Sequence, residues 1–399
     1  MHSLIVNLSG LNHGGGSVVA DELISTYLPT LHRYKIIIIG NKRIKSQIPL
    51  KRNVKIILIP RPMGVISDQL LISAYLLYRH LRGKCDVLLN MSDIPIICKG
   101  EQIFFLDWAY AVSSRKQWGK ISLFTLLTRL LKKRIFWLLT PFINKYIVQT
   151  EHMKTLLEKK INSSLVSVNP LGISGLSLHK TPLSLGLLQQ KSWQQQDQFA
   201  RLLQILCNSG NKLFASQLGA SRETQSFSNY ILCPNSYNSH KGFEDIVELH
   251  ASGYPLRKNL ALLLLLDPPE ASRLFKVQHK DLLMHNLLCV GRLPRKSLIQ
   301  MYSIATVVVN PSRLESFGFA YYEAALLGVR QVCPALPHVP DFARSYSYLQ
   351  LSASSLEESI SKAIQDCEGK LPFGIQKFFD RHIEMLQEES VSSFGRQLL

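Results

Sequence analysis

The chain has 399 residues and a mass of 45.2 kDa, with 46% apolar and 19% charged side chains. That length fits two domains, and the composition is that of a globular protein rather than a disordered one. Its formal charge is +18, from 46 Lys and Arg against 28 Asp and Glu. The longest aliphatic run, Leu260 to Leu266, stops at Asp267, far short of the ~20 residues that span a membrane. Residues 1–7 show neither a basic start nor a cleavage pattern, so they do not read as a secretory signal. Seven scattered cysteines without a CxxC pair read as reduced thiols of a cytoplasmic protein, not as a disulfide frame or a zinc site. The charge is uneven: residues 1–170 carry 24 basic and 9 acidic side chains, and residues 171–399 carry 22 and 19. A basic first half points to a polyanionic partner, whether nucleic acid, an anionic membrane or a diphosphate.

In chain order, residues 4–8 predict a strand, 12–17 a glycine-rich turn and 17–28 a helix. Strands follow at 34–40 and 54–59, a helix at 67–81, and strands at 86–90, 102–106 and 146–149. Continuous apolar strands suit a parallel sheet buried on both faces, and their alternation with helices implies βαβ units. Residues 121–139 place Arg129, Lys132, Lys133 and Arg134 among leucines and Trp137. That stretch reads as a basic amphipathic helix suited to an anionic membrane surface. Residues 174–228, rich in Ser and Gln, break the pattern and read as a linker with a helical insertion. Strands then return at 230–233, 260–266, 287–290, 306–310 and 330–333, with helices at 242–250 and 319–327. The expectation is an α/β protein of two Rossmann-like domains, 1–173 and 229–373. A last helix, at about 374–399, is expected to pack back onto the first.

Residues 310–324 read Asn-Pro-Ser-Arg-Leu-Glu-Ser-Phe-Gly-Phe-Ala-Tyr-Tyr-Glu-Ala. A strand ends at Asn310, Gly318 permits close backbone approach, and a helix opens near Phe319. Such a turn offers free N–H groups and a positive dipole end to a phosphate. It lies at a strand's C-terminal end, where open α/β sheets bind ligands. Glu315 and Glu323 flank it. Carboxylates beside a phosphate make chemical sense as acceptors from sugar hydroxyls.

This run resembles the signature of retaining glycosyltransferases of the GT-B fold, in particular family four (glycosyltransferase group 1). Pro-Ser, Glu, Phe-Gly and Glu-Ala fall in register, with seven residues between Glu315 and Glu323. Gly14-Gly15-Gly16 is similar to the family's N-terminal glycine loop, and Ser239-His240-Lys241-Gly242 to its basic phosphate motif. Residues 147–150 with Met153, and 168–173, are similar to the end of its first domain. The resemblance implies two Rossmann-like domains whose parallel sheets face a central cleft. It also implies transfer of a sugar from a nucleotide-sugar to a saccharide or lipid-linked acceptor with retention of configuration. Gly15 and Gly16 would face the donor phosphates. Lys241 and the backbone of Ser316, Phe317, Gly318 and Phe319 would hold the diphosphate. Glu315 would accept from the donor sugar and Glu323 from the ribose.

The chain departs from the family at two points. The clamp arginine would fall at 235 or 236, where Asn235 and Ser236 stand, with His240 beside Lys241 to compensate. Asp107 ends an apolar strand where many members carry a histidine near the donor sugar. His13, beside the glycine loop, is a weaker candidate for ligand contact. No Asp-x-Asp or other metal-ligand cluster is present, so transfer without a metal or cofactor is expected. Nucleic acid finds no fingerprint to support it. The expected partners are a UDP- or GDP-sugar, a glycan or polyprenyl-diphosphate-linked acceptor, and an anionic membrane. Bacterial surface polysaccharide (lipopolysaccharide, O-antigen or exopolysaccharide) is the implied product. The protein would then be cytoplasmic, peripheral on the inner face of the cytoplasmic membrane. Two rival readings stay open: a nucleotide-sugar epimerase of the same fold, and an inactive nucleotide-sugar-binding protein that docks on membranes.

Overall fold

The computed structural model describes residues 3–11, 15–28, 35–40, 53–59, 65–82, 86–170, 202, 204–206, 227–349 and 353–367. His13, Gly14, residues 171–173, most of the 174–228 segment and the helix expected at 374–399 lie outside the described residues.

The first domain is a seven-stranded parallel sheet in the order β3-β2-β1-β4-β5-β6-β7. Its strands are β1 (Ser3–Asn7), β2 (Lys35–Gly40), β3 (Val54–Leu58), β4 (Asp86–Asn90), β5 (Glu101–Leu106), β6 (Lys145–Val148) and β7 (Val166–Val168). Helices α1 (Gly15–Glu22), α2 (Val65–Leu81), α3 (Leu123–Leu139) and α4 (Glu151–Glu158) cover it. α1 runs on as a π turn over Leu23–Tyr27. The continuous apolar strands are buried on both faces, as their lack of alternation requires: Leu4 and Val6 pack under α1, and Ile5 packs under α2.

The second domain is a six-stranded parallel sheet in the order β10-β9-β8-β11-β12-β13. It holds β8 (Asn229–Cys233), β9 (Leu260–Leu264), β10 (Leu287–Cys289), β11 (Val307–Val309), β12 (Arg330–Pro334) and β13 (Tyr346–Tyr348). Its helices are α5 (Phe243–Ala251), α6 (Tyr254–Arg257), α7 (Pro268–Phe275), α8 (Arg295–Ile304), α9 (Phe319–Leu326) and α10 (Ala353–Cys367). Leu202, Ile205 and Leu206, from the segment read as linker, are buried in this domain's core with Phe227. The sequence reading missed β7 and β13. Both are three-residue edge strands, Val-Ser-Val and Tyr-Ser-Tyr, with no apolar run to betray them.

Both sheets reverse winding direction at their central strands. β1 lies between β2 and β4, and β8 between β9 and β11. Ligand crevices form at such points. At the first of them a chain of buried amides ties the strands together. Asn7 Nδ2 donates to Asn90 Oδ1 at 2.9 Å and to Gln69 Oε1 at 3.1 Å, and Asn90 Nδ2 donates to Gln102 Oε1 at 3.0 Å.

At the second, the loop after β11 is clamped to the turn after β8. The Arg313 amide donates to the His240 carbonyl at 2.7 Å. The Arg313 guanidinium reaches buried Asp245 at 3.1 Å, and Tyr348 donates to the same carboxylate at 2.9 Å. Between the two segments sits Gly242, with φ of +66°, where an added Cβ would lie 2.0 Å from the Pro311 carbonyl oxygen. Left-handed strain and a backbone clash therefore coincide there. Gly242→Ala is expected to cost more than about 2 kcal/mol of stability by chemical denaturation. A loss under half of that would mean the clamp yields easily.

Candidate active site

The two switch points face one another across a cleft of about 580 Å³, a size typical of ligand sites. From the first domain it is lined by Gly15, Gly16 and Asp107. From the second come Asn235, Lys241, Glu315, Glu323 and the 316–319 turn of Ser316, Phe317, Gly318 and Phe319. α1 begins at Gly15 and α9 at Phe319, so two positive helix ends meet in one space. They approach closely: a Cβ on Gly15 would lie 3.1 Å from the Phe319 ring. Gly318 caps α9 with φ of +80°, a backbone that favours glycine and turns the free N–H groups of the helix toward the cleft.

Lys241 Nζ lies 2.6 Å from Glu315 Oε1, and both side chains are largely buried. Burial raises the Glu315 carboxyl, but the Lys241 ammonium, with His240 and the hydrogen bonds from Lys241 and Ser312, holds it below its ordinary value. Glu323, 6% exposed, accepts from the Tyr302 hydroxyl at 2.9 Å and pairs with Arg295 at 2.9 Å. Arg295 lines the cleft at the start of α8. The sequence reading missed it: nothing but Pro294 before it marks the position, and no motif includes it. It supplies a second cation in the cleft, which the absent arginine at 235 does not. Asn235 itself is buried and donates to Asn310 Oδ1 at 2.6 Å.

His240 turns toward the first domain. Its Nδ1 is hydrogen-bonded to the Tyr110 hydroxyl at 2.6 Å. Burial, with the Lys241 ammonium adjacent, lowers the imidazole to about 3, so it is neutral. It brings no charge to the cleft, contrary to the expectation that it compensates for a missing arginine. Instead it joins the domains. Arg129 donates to Ser239 Oγ at 3.0 Å and Asn238 Oδ1 at 3.2 Å, and its guanidinium lies 4.2 Å from the Tyr110 ring centroid. Thr150 donates to the Ser316 carbonyl at 3.2 Å.

Three of the four basic residues of α3 turn inward. Lys132 pairs with Asp93 and sits 4.3 Å from the Trp108 ring centroid. Lys133 donates to the Ser113 carbonyl at 2.6 Å and lies 5.5 Å from the Trp118 ring centroid. Of Arg129, Lys132, Lys133 and Arg134, Arg134 alone is exposed. Three aromatic faces, beneath Arg129, Lys132 and Lys133, draw the helix's cations inward. Asp107 lies beyond this cluster, beside Gly16. Burial, then the neighbouring Asp93 carboxylate, raise it to about 7 despite Lys132. No group of three or more His, Cys, Asp or Glu suited to a metal ion occurs among the described residues.

Residues 220–369, which carry Lys241, Arg295, Glu315 and Glu323, match the family model for glycosyl transferases group 1. No curated protein matches the chain in sequence. Solved structures match almost end to end. WaaG, a glycosyltransferase involved in lipopolysaccharide biosynthesis, is 14% identical with a TM-score of 0.59, over 97% of this chain and 95% of its own. HepE of Anabaena, solved with UDP and glucose, is 13% identical with a TM-score of 0.60, over 99% and 100%. Sucrose-phosphate synthase of Thermosynechococcus elongatus is 15% identical with a TM-score of 0.59, over 99% and 98%. At such identities the agreement is one of fold: the chain has the GT-B architecture of two Rossmann-like domains across a cleft, as these enzymes do.

Proposed function

We propose that the protein is a glycosyltransferase that moves a sugar from a UDP- or GDP-sugar to a saccharide or lipid-linked acceptor, with retention at the anomeric carbon. The observation that carries this reading is the meeting of two helix N-termini, two cations and two carboxylates at facing switch points. The helix ends and Lys241 would hold the diphosphate and stabilise it as the leaving group. Arg295 would supply the second charge. Glu315 would accept from the donor sugar and Glu323 from the ribose, as hydroxyls replace their present cationic partners. The reading assigns the phosphate charge to Lys241, Arg295 and the two helix ends, and invokes no metal. HepE, also solved with UDP-glucose, supports the donor class. WaaG supports a role in lipopolysaccharide or other surface polysaccharide, with a lipid-linked acceptor at an anionic membrane face.

Turnover of a nucleotide-sugar panel, with and without lipid extract, tests the reaction. Acceptor-dependent release of nucleoside diphosphate supports transfer. Free epimerised sugar would favour an epimerase, and binding without turnover an inactive binding protein. A charged hydrogen bond contributes roughly 1.5–3 kcal/mol, so Lys241→Ala is expected to weaken nucleoside diphosphate binding about 10- to 100-fold. Calorimetry should show the bare nucleoside unaffected, and equal diphosphate binding by the variant would move the donor site elsewhere. Glu315→Gln is expected to lower turnover at least tenfold, about 1.4 kcal/mol in barrier, with the fold retained.

Asp107 would face the donor sugar. Because folding raises its pKa, the folded state holds a proton that the unfolded chain releases. That contribution to stability is full at low pH and is lost between about pH 4 and 7, with no further change above. Asp107→Asn removes the effect. The stability of the variant relative to the parent should rise by about 4 kcal/mol over that window and then level off. Parallel stability–pH curves for the two proteins would show that Asp107 is not perturbed.

A further inference from the structure

Helices α2 and α3 turn apolar stripes to solvent. On α2, Leu70, Leu71, Leu77, Tyr78 and Leu81 are exposed; on α3, Leu123, Phe124, Leu127, Leu130, Leu131 and Leu138 are. Phe124 is 78% exposed and Leu81 76%. With Ile97 these make twelve of the eighteen exposed large apolar side chains among the described residues.

The strand register places both helices on one face of the sheet. Ile5 pairs laterally with Leu88, Leu88 with Gln102, and Asn90 with Phe104, so these side chains share a face. α2 packs on that face through Ile72 and Leu76 over Ile5 and Leu88. α3 packs on it through Leu126 and Phe136 over Phe104. The loop between β4 and β5 crosses the same face, because Gln102 exchanges hydrogen bonds with the Ile96 backbone. Its next residue, Ile97, is exposed. The two stripes and the loop thus lie on one face of the first domain, and an exposed apolar face of this kind marks an interaction surface.

Its net charge is positive, and Asp93 of the β4–β5 loop, its partly exposed carboxylate, is paired with Lys132. α3 has no carboxylate, and the one on α2, Asp68, is buried. Arg82, Lys99, Lys120 and Arg134 are exposed along it. We propose that this face docks on an anionic lipid bilayer, with the leucines in the headgroup–acyl boundary and the cations against the headgroups. A second copy of the chain would bring the same cations with no unpaired acid to meet them. α3 also starts at the C-terminal edge of the sheet, the edge that borders the cleft, as a helix following a parallel strand must. A docked bilayer would meet the cleft mouth there. This rests on the proposed function for the acceptor alone; docking itself requires no turnover.

The test is flotation of the full chain with vesicles of equimolar phosphatidylcholine and phosphatidylglycerol. Binding is expected to persist in part at about 1 M salt, where charge alone is screened. Leu127→Glu with Leu131→Glu should lower partitioning at least about tenfold, whereas Lys132→Gln with Lys133→Gln should change it less than about twofold, because those cations point inward. The leucine positions are exposed, so the variant's unfolding midpoint and its calorimetric titration with UDP and GDP should match the parent's. Three results would overturn the proposal: no flotation of the parent, flotation of the Glu variant like the parent's, or a dimer that the same substitutions dissolve. Failure of UDP and GDP to bind the parent would count against the cleft reading and leave the docking result standing.

Discussion

The ion pair between Lys241 and Glu315 depends on a backbone arrangement that tolerates almost no change. The two residues belong to separate loops, one after β8 and one after β11, and they meet at 2.6 Å because Gly242 lets those loops touch. The Arg313 amide on the His240 carbonyl and the Arg313 side chain on Asp245 hold the arrangement from behind. Glu315 would be costly to bury without Lys241, since an unpaired carboxylate in that setting loses its hydration and gains nothing in return. The pairing therefore also places Lys241 where the free N–H groups of α9 point.

The first domain contributes less chemistry to the cleft than its charge implies, and more structure. Its excess of cations makes a general attraction for polyanions easy to infer. At α3, however, that charge is used internally. Arg129 bridges Tyr110 to Ser239 and Asn238, and Lys132 and Lys133 lie on tryptophans. Lys132 and Lys133 thereby brace the first domain, and Arg129, stacked and hydrogen-bonded, holds one domain against the other. The neutral imidazole of His240 completes the contact through Tyr110. Because His240 and Lys241 are adjacent, the contact between the domains and the position of Lys241 are tied together.

The fold was legible in the sequence wherever burial imposes a long signal. β1, β2 and β9 are continuous apolar runs because both sheet faces are covered, and each was visible to within a residue or two at its ends. β7 and β13 were not visible, because an edge strand of three residues needs only backbone pairing. The residues of the 310–324 run were readable for a different reason. A strand end, a glycine turn and a helix start must follow one another closely to aim N–H groups at an anion, so the chemistry is local. Arg295 was not readable, because its relation to Glu323 spans an interval that no local pattern bridges. The direction of α3 was not readable, because helical periodicity identifies two faces but not which of them is buried. Leucine outside and lysine inside is the reverse of the usual choice, and it needs the aromatic faces of Trp108, Tyr110 and Trp118 to make sense.

The charge balance of the cleft narrows how a diphosphate would be held. Lys241 and Arg295 are its cations, and Asp21, Asp107, Glu315 and Glu323 are its acids. Side chains alone thus leave no positive surplus for a nucleoside diphosphate. Two features redress this. The N-termini of α1 and α9 bring partial positive charge without a titratable partner, and they converge where Gly15 meets Phe319. Asp107, raised to about 7, sheds part of its negative charge near neutral pH. The carboxylates then have a use that apolar residues in their place would not supply. Without donor they keep Lys241 and Arg295 extended into the cleft and hydrogen-bonded. With donor they would pass those cations to the phosphates and accept sugar hydroxyls in exchange, so that no buried charge is left unpaired in either state.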